Sequence, residues 1–269
     1  MSIFDREAII AVVQRAGQLV STMRSAGLQH VQSKGVEIDL VTEADLACEV
    51  FLREELHRLL PSAGFWGEES NQQPNEELFW IADPVDGTVN FASGVAFYAV
   101  NLALQAGDQC LLGITVEPNS GRTYWSEQGG GAHLREASGR QQPLHVNQVD
   151  RLSRAMLTTG FPYHRSDPTT NNTREFAYFT QRALGVRCMG SAAMDLAHVA
   201  SGVMAAYWEA GLKPWDAVAG ALMLREAGGL VTDYQGNTWS YHSKNLVASN
   251  GNAALHSLLL DGIAVAQVS

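Results

Sequence analysis

Two carboxylates three residues apart follow an apolar run in Leu78-Phe79-Trp80-Ile81-Ala82-Asp83-Pro84-Val85-Asp86-Gly87-Thr88. The run over 78–82 reads as a buried strand that delivers Asp83 at its tip. Pro84 restricts the backbone and Gly87 permits a tight turn. Asp83, Asp86 and the Val85 carbonyl can therefore be aimed at one point. Hard cations such as Mg²⁺ take oxygen donors of this kind and keep waters and phosphate oxygens beside them. The amides of Gly87 and Thr88 suit a phosphate if a helix starts there. The same residue types are ordinary turn formers, so this segment alone reads either as a cation site or as a surface turn.

Three further acidic segments share that ambiguity. Gly67-Glu68-Glu69-Ser70 lies on a polar stretch just before the strand; adjacent acids there are either solvated or complete a neighbouring site. Thr42 with Asp45 three residues later has the spacing of a capping box at a helix start. Capping leaves Asp45 free to accept a hydrogen bond from a threonine that orients a water. Asp216, after Lys213-Pro214-Trp215, fits the first turn of another helix. The D-x-x-D spacing at 83–86 does not fit an aspartyl-phosphate enzyme of the haloacid dehalogenase kind, which needs D-x-D. Val85 breaks the alternating oxygens of a calcium loop.

The elements that must position these residues are legible in outline. Ile9, Val13, Ala16, Val20 and Met23 recur at helical spacing and predict a helix over 3–26, ending near Gly27. A second helix is expected over 43–60, with Leu46, Val50, Leu56 and Leu60 as its apolar stripe and Pro61 as its stop. Residues 61–77 read as a loop. Strands are expected at 96–105, 111–117 and 121–127, separated by turn signals at Gly107-Asp108 and 118–121. Gly129-Gly130-Gly131, lacking the Lys-Ser/Thr of a phosphate-binding loop, precedes another short strand. Further on, helices are expected near 172–184, 191–201, 215–227 and 251–260. Strands are expected near 154–159, 186–189, 203–208, 229–233 and 245–249. This order suggests an α+β or layered α/β protein with two lobes meeting near residue 145.

The segments 39–45 (DLVTEAD), 66–70 (WGEES), 83–91 (DPVDGTVNF) and 215–220 (WDAVAG) together resemble the inositol monophosphatase family of Mg²⁺-dependent, lithium-sensitive phosphatases. Order and spacing agree, and the resemblance extends over nearly the whole chain. It implies an αβαβα five-layer sandwich of the inositol monophosphatase and fructose-1,6-bisphosphatase type. The chain would be one catalytic unit with an N-terminal lobe at 1–145 and a C-terminal lobe at 146–269.

The resemblance also implies roles. One Mg²⁺ would be held by Glu68, Asp83 and the Val85 carbonyl, and a second by Asp83, Asp86 and Asp216. A third, weaker ion would sit at Glu68, with Mn²⁺ able to substitute. Asp45, Thr88 and Glu68 would activate the attacking water. Lys34, Asp86, Gly87, Thr88, Gly190, Ser191, Ala192 and Glu209 would contact substrate. The implied activity is inositol-1-monophosphatase, by in-line attack of a metal-activated water on a small phosphorylated alcohol or sugar. Histidinol phosphate and fructose 1,6-bisphosphate are alternative substrates within the fold, and a binding or regulatory role without turnover is a third reading. A homodimer is the family expectation. Ser93 stands where many family members carry His.

Bulk composition sets outer bounds. In 269 residues there are 28 Asp+Glu against 18 Lys+Arg, a net charge of −10, which excludes general binding to nucleic acid or anionic membranes. Cys48, Cys110 and Cys188 form no disulfide framework and read as buried apolar residues in a reducing compartment. Charges at Asp5, Arg6 and Glu7 occupy the place of a signal peptide's apolar run, so the expected location is cytoplasmic. The six tryptophans read as core or lobe-interface residues.

Overall fold

The computed structural model describes residues 3–28, 30–34, 37–163 and 171–268. In chain order the elements are α1 (Arg6–Ala26), β1 (Val31–Ser33), β2 (Leu40–Thr42), α2 (Glu43–Leu59), β3 (Gly64–Gly67), β4 (Leu78–Asp86) and α3 (Thr88–Ser93). The strands β5 (Ala99–Ala106), β6 (Gln109–Glu117), β7 (Arg122–Glu127), β8 (Gly131–Arg135) and β9 (Gln141–Pro143) follow as a meander. After a 3₁₀ turn at Leu152–Arg154 come β10 (Met156–Thr159), α4 (Thr173–Thr180), β11 (Gly185–Arg187) and α5 (Ala192–Ala200). The chain continues with β12 (Ala206–Ala210), α6 (Pro214–Glu226), β13 (Leu230–Thr232), β14 (Asn245–Ser249) and α7 (Ala253–Val268).

Two large sheets and three helical layers alternate, and β1 and β2 form a separate two-stranded ribbon. The seven-stranded sheet runs β3-β4-β5-β6-β7-β8-β9 and the five-stranded sheet runs β11-β10-β12-β14-β13. α1 and α2 pack on the outer face of the first sheet, α5 and α6 lie between the sheets, and α4 and α7 cover the far face of the second. Three apolar clusters fill the four interlayer spaces, the one around α5 and α6 occupying the space on both sides of that layer. The five-layer αβαβα arrangement is thus present.

Strand β4 shows why its sequence is continuously apolar. Trp80 and Ala82 face the cluster beneath α1 and α2, whereas Phe79 and Ile81 face the cluster beneath α5 and α6. A strand buried on both faces loses the polar alternation of a half-exposed one. Each large side chain buried there contributes about 1.5–3 kcal/mol. The middle layer approaches the first sheet closely at Gly113, where a Cβ would stand 2.7 Å from the Ala219 carbonyl of α6.

Several boundaries differ from the sequence expectation for identifiable reasons. The strand over 78–82 continues to Asp86 through a bulge. The expected loop at 61–77 contains β3, which pairs parallel to β4. The last helix continues past 260 to Val268, because Gly262 lets it close on Tyr178 and Phe179. The buried face of α2 is Ala44, Asp45, Cys48, Glu49, Leu52 and Leu56, and it leaves Leu46 and Val50 exposed. That helix turns two acids inward, so the apolar stripe misidentified its inner face. Cys48 is buried as expected, but Cys110 is half-buried and Cys188 is exposed.

Candidate active site

Residues three apart on a regular strand point to opposite faces. Asp83 and Asp86 escape that rule because the register shifts between them: Asp83 pairs with Asn101 and Asp86 with Ala99. Three steps on β4 oppose two on β5, so the extra residue brings both carboxylates to one side. Pro84 has no N–H to contribute to the ladder there, and the Val85 N–H turns back to Asp83 Oδ1 at 3.0 Å.

Asp216 arrives from the other half of the chain. Pro214 opens α6, and the Asp216 carboxylate accepts a hydrogen bond from the Lys213 N–H at 2.7 Å. Asn101, directly opposite Asp83, donates from Nδ2 to the Trp215 carbonyl at 2.6 Å and accepts from Thr115 Oγ1 at 2.8 Å. A buried amide thus fixes the start of α6 against the bulged strand. One carboxylate oxygen from each of Asp83, Asp86 and Asp216 lies within 4.8 Å of the others.

Crowding of like charges away from water favours protonation. Burial raises the Asp83 pKa well above the usual carboxylate value, and the charges of Glu68, Asp86 and Asp216 raise it further. Asp216 is raised by burial and then by Glu68 and Asp86. Burial pushes Asp86 up to about 6, although hydrogen bonds from Ser191, Ala193 and Ala192 pull it back. A compact all-oxygen set under this strain fits a hard divalent cation, which would neutralise the mutual repulsion.

Glu68 sits at the end of β3, and Lys34 Nζ meets Glu68 Oε1 and Glu69 Oε1, each at 2.7 Å. Burial opposes the ammonium charge, but Glu68 and Glu69 outweigh it and raise the Lys34 pKa. Glu69 is pushed up to about 7 by burial, against the hydrogen bond from Lys34.

Thr42 caps α2. Its N–H donates to Asp45 Oδ2 at 2.8 Å, its hydroxyl donates to the same oxygen, and the capping box is complete. The other oxygen of Asp45 faces Thr88 Oγ1 at 3.3 Å, and Thr88 Oγ1 also lies 3.0 Å from the Val85 carbonyl. A hydroxyl carries one proton, so it can serve one of these acceptors at a time. Burial raises the Asp45 pKa to about 6, while the Thr42 hydrogen bonds lower it. One carboxylate thus both caps α2 and faces Thr88.

The opposite wall comes from the C-terminal half. Ser191 Oγ, Ala192 N–H and Ala193 N–H all donate to the Asp86 carboxylate, the amides at 3.2 and 2.8 Å. Gly190 has φ of 82° and packs against Asn90, which donates to the carbonyls of Phe97 and Met189 at 2.8 Å each. Tyr207 Oη donates to Glu209 Oε2, and a Cβ at Gly160 would stand 2.0 Å from that oxygen. A cavity of about 790 Å³ joins these groups, and its lining includes Lys34, Glu68, Asp83, Thr88, Asp216 and Glu209.

Lys34, Glu68, Asp83, Val85, Asp86, Gly87, Thr88, Gly190, Ser191, Ala192, Glu209 and Asp216 all line this cavity, and Asp45 lies directly behind it against Thr88. Asn90, Asn101 and Tyr207 carry positioning hydrogen bonds that sequence reasoning missed. For Asn101 a signal existed: a short amide between Val100 and Leu102 in the otherwise apolar first half of β5. Cys188 also lines the cavity.

Comparison with known proteins agrees with this geometry. A model described as the inositol monophosphatase family matches residues 5–266. The inositol-1-monophosphatase of Synechocystis sp. is 36% identical over 239 residues, spanning 88% of this chain and 81% of its own. The Nus factor SuhB of Pseudomonas aeruginosa is 35% identical over 248 residues, spanning 90% and 89%. The solved structure of inositol monophosphatase from Anabaena (Nostoc) sp. PCC 7120 is similar with a TM-score of 0.84 and 31% identity, over 96% of this chain and 94% of that one.

Proposed function

The chain belongs to the inositol monophosphatase family and is a phosphoric monoester hydrolase, and from that premise we propose that its substrate is myo-inositol 1-phosphate or a close relative and its cofactor Mg²⁺. The observation that carries the proposal is the meeting of Asp83, Asp86 and Asp216 at a cavity whose other wall bears Glu209. The lobe at 1–145 supplies Glu68, Asp83 and Asp86. The lobe at 146–269 supplies Asp216 and the polyol contacts.

Glu68, Asp83, the Val85 carbonyl, Asp86 and Asp216 would hold two to three Mg²⁺ ions, with Mn²⁺ able to substitute and Li⁺ inhibitory. Bound there, Mg²⁺ supplies neutralisation of the phosphate, a lowered pKa for water and stabilisation of the leaving alkoxide. The chain's own groups do the rest. With its proton committed to Asp45, the Thr88 oxygen is an acceptor that orients a water for in-line attack. Gly87 and Thr88, at the start of α3, present backbone toward the phosphate. Ser191 holds Asp86, while Gly190 and Ala192 shape the wall beside it. Glu209, oriented by Tyr207, accepts a hydroxyl of the alcohol. Lys34 balances Glu68 and Glu69 at the mouth.

Among the described residues no helix is long and apolar enough to cross a membrane. A cytoplasmic homodimer is part of the same proposal. The test is Mg²⁺-dependent phosphate release across inositol 1-phosphate, histidinol phosphate and fructose 1,6-bisphosphate, ranked by kcat/KM. Asp83→Asn is the control, and activity that survives it sinks the metal assignment. The relative called Nus factor SuhB favours a second reading, a binding or regulatory role without turnover. A chain inert toward all three esters at millimolar Mg²⁺ would leave that reading in place of the first.

A further inference from the structure

Helix α2 carries a second buried acid one turn beyond Asp45. Glu49 is 5% exposed and is not among the residues that line the cavity. Its Oε2 accepts the Glu69 N–H at 2.8 Å. Its Oε1 accepts the Ser70 N–H at 3.1 Å and Arg53 Nη2 at 2.9 Å. Consecutive backbone amides that converge on one point form an anion-binding concavity, and here a carboxylate of the same chain fills it.

Glu68 is bracketed by this arrangement. On one side, Gly67 lies so close that a Cβ there would stand 2.1 Å from Glu49 Oε2. On the other, Glu69 donates to the same oxygen. The Glu68 N–H itself donates to the carbonyl of Ala82 at 3.1 Å, the residue before Asp83. The Asn71 N–H closes the turn on the Gly67 carbonyl at 2.9 Å. The backbone of Glu68 is thereby fixed relative to β4, and its side chain projects toward Asp83 and Lys34.

We propose that Glu49 is a positioning residue for the hydrolysis: its carboxylate, seated on the amides of Glu69 and Ser70, sets the place of Glu68 and through it the affinity for Mg²⁺. This rests on the reading of Glu68 as a metal ligand. Glu49→Gln keeps the shape, but its NH₂ faces either the Glu69 N–H or both the Ser70 N–H and Arg53, so at least one donor loses its acceptor. Residues that orient metal ligands typically alter affinity by about 10–100-fold when changed.

The test compares the full-length wild type, Glu49→Gln and Glu68→Gln. Mg²⁺ binding without substrate is read by calorimetry, and kcat and KM for myo-inositol 1-phosphate are read across Mg²⁺ concentrations. Glu49→Gln is expected to bind Mg²⁺ about 10–100-fold more weakly. Its half-maximal Mg²⁺ for turnover should shift equally, its kcat should recover at saturating Mg²⁺, and its KM should stay near wild type. Amide exchange at Glu69 and Ser70 should quicken. If Glu49→Gln does not fold, Glu49→Asp, too short to span both amides, serves for the same shift. Should Glu68→Gln bind Mg²⁺ as the wild type does, the reading of Glu68 falls and the proposal with it. Should Glu68→Gln weaken binding while the Glu49 variant loses thermal stability alone, the Glu49 proposal is overturned and the ligand reading stands.

Discussion

Ser191 Oγ donates a hydrogen bond to Asp86 Oδ2 across 105 residues of chain. The same hydroxyl caps α5, accepting from the Met194 N–H at 3.4 Å. One side chain thus joins the helix between the sheets to the bulged strand. Ser191→Ala removes both contacts. A hydrogen bond to a charged group contributes about 1.5–3 kcal/mol and a cap about 1 kcal/mol. Urea unfolding should show a loss of about 1–3 kcal/mol. In a double-mutant cycle with Asp86→Asn the two changes should be non-additive.

Thr88 separates geometry from chemistry. Thr88→Ser keeps the hydroxyl that faces Asp45 and should retain most activity. Thr88→Val keeps the shape and removes the proton carrier, so kcat should fall by about 10²–10⁴. A valine variant with near-native kcat would show that water is oriented elsewhere.

The acid cluster gives the metal-free protein an unusual pH response. Folding raises Asp45 and Asp86 from 3.8 to about 6, burial being the main cause in each. Between those values the folded state binds more protons than the unfolded state, so stability falls as pH rises from about 4 to 6. Thermal melts in chelator should show this decline, shallower in Asp86→Asn. Mg²⁺ should raise the melting temperature more at pH 7.5 than at pH 5, because its binding displaces those protons.

Glu209 and Gly160 give a test of substrate selectivity. A Cβ at Gly160 would displace the Glu209 carboxylate. Gly160→Ala should raise KM for a polyol phosphate by about 10-fold or more. It should have far less effect on an aryl phosphate that offers no hydroxyl to Glu209.

Gly262 tests packing against propensity. Ala is a better helix former than Gly by about 1 kcal/mol. A Cβ at 262 would nevertheless lie 2.7 Å from Tyr178 and 2.8 Å from Phe179. Overpacking of this kind costs about 1–3 kcal/mol, so Gly262→Ala should destabilise the chain or leave it no more stable in a urea titration.

Much of this site could be read from local sequence because its chemistry is local. Asp83 and Asp86 share one strand end, and Thr42 and Asp45 share one helix cap. Contacts that depend on tertiary approach left no such trace. Nothing near Ser191 announces Asp86, and nothing near Tyr207 announces that its hydroxyl serves Glu209. The inner face of α2 was hidden for a related reason. Apolar periodicity assumes that the buried face is the greasy one, and α2 buries Asp45 and Glu49 while Leu46 and Val50 face outward. The bulge at Pro84 was invisible as a change of parity, though proline and paired acids marked the place.

The division of the carboxylates between the two halves of the chain also orders events during synthesis. Asp216 lies 130 residues beyond Asp86. At translation speeds of about 5–20 residues per second, it leaves the ribosome on the order of ten seconds later. Until then a nascent chain carries Glu68, Asp83 and Asp86 without α6 to complete them. On the proposed ligand set, the growing polypeptide therefore holds an unfinished site until α6 docks on the first sheet.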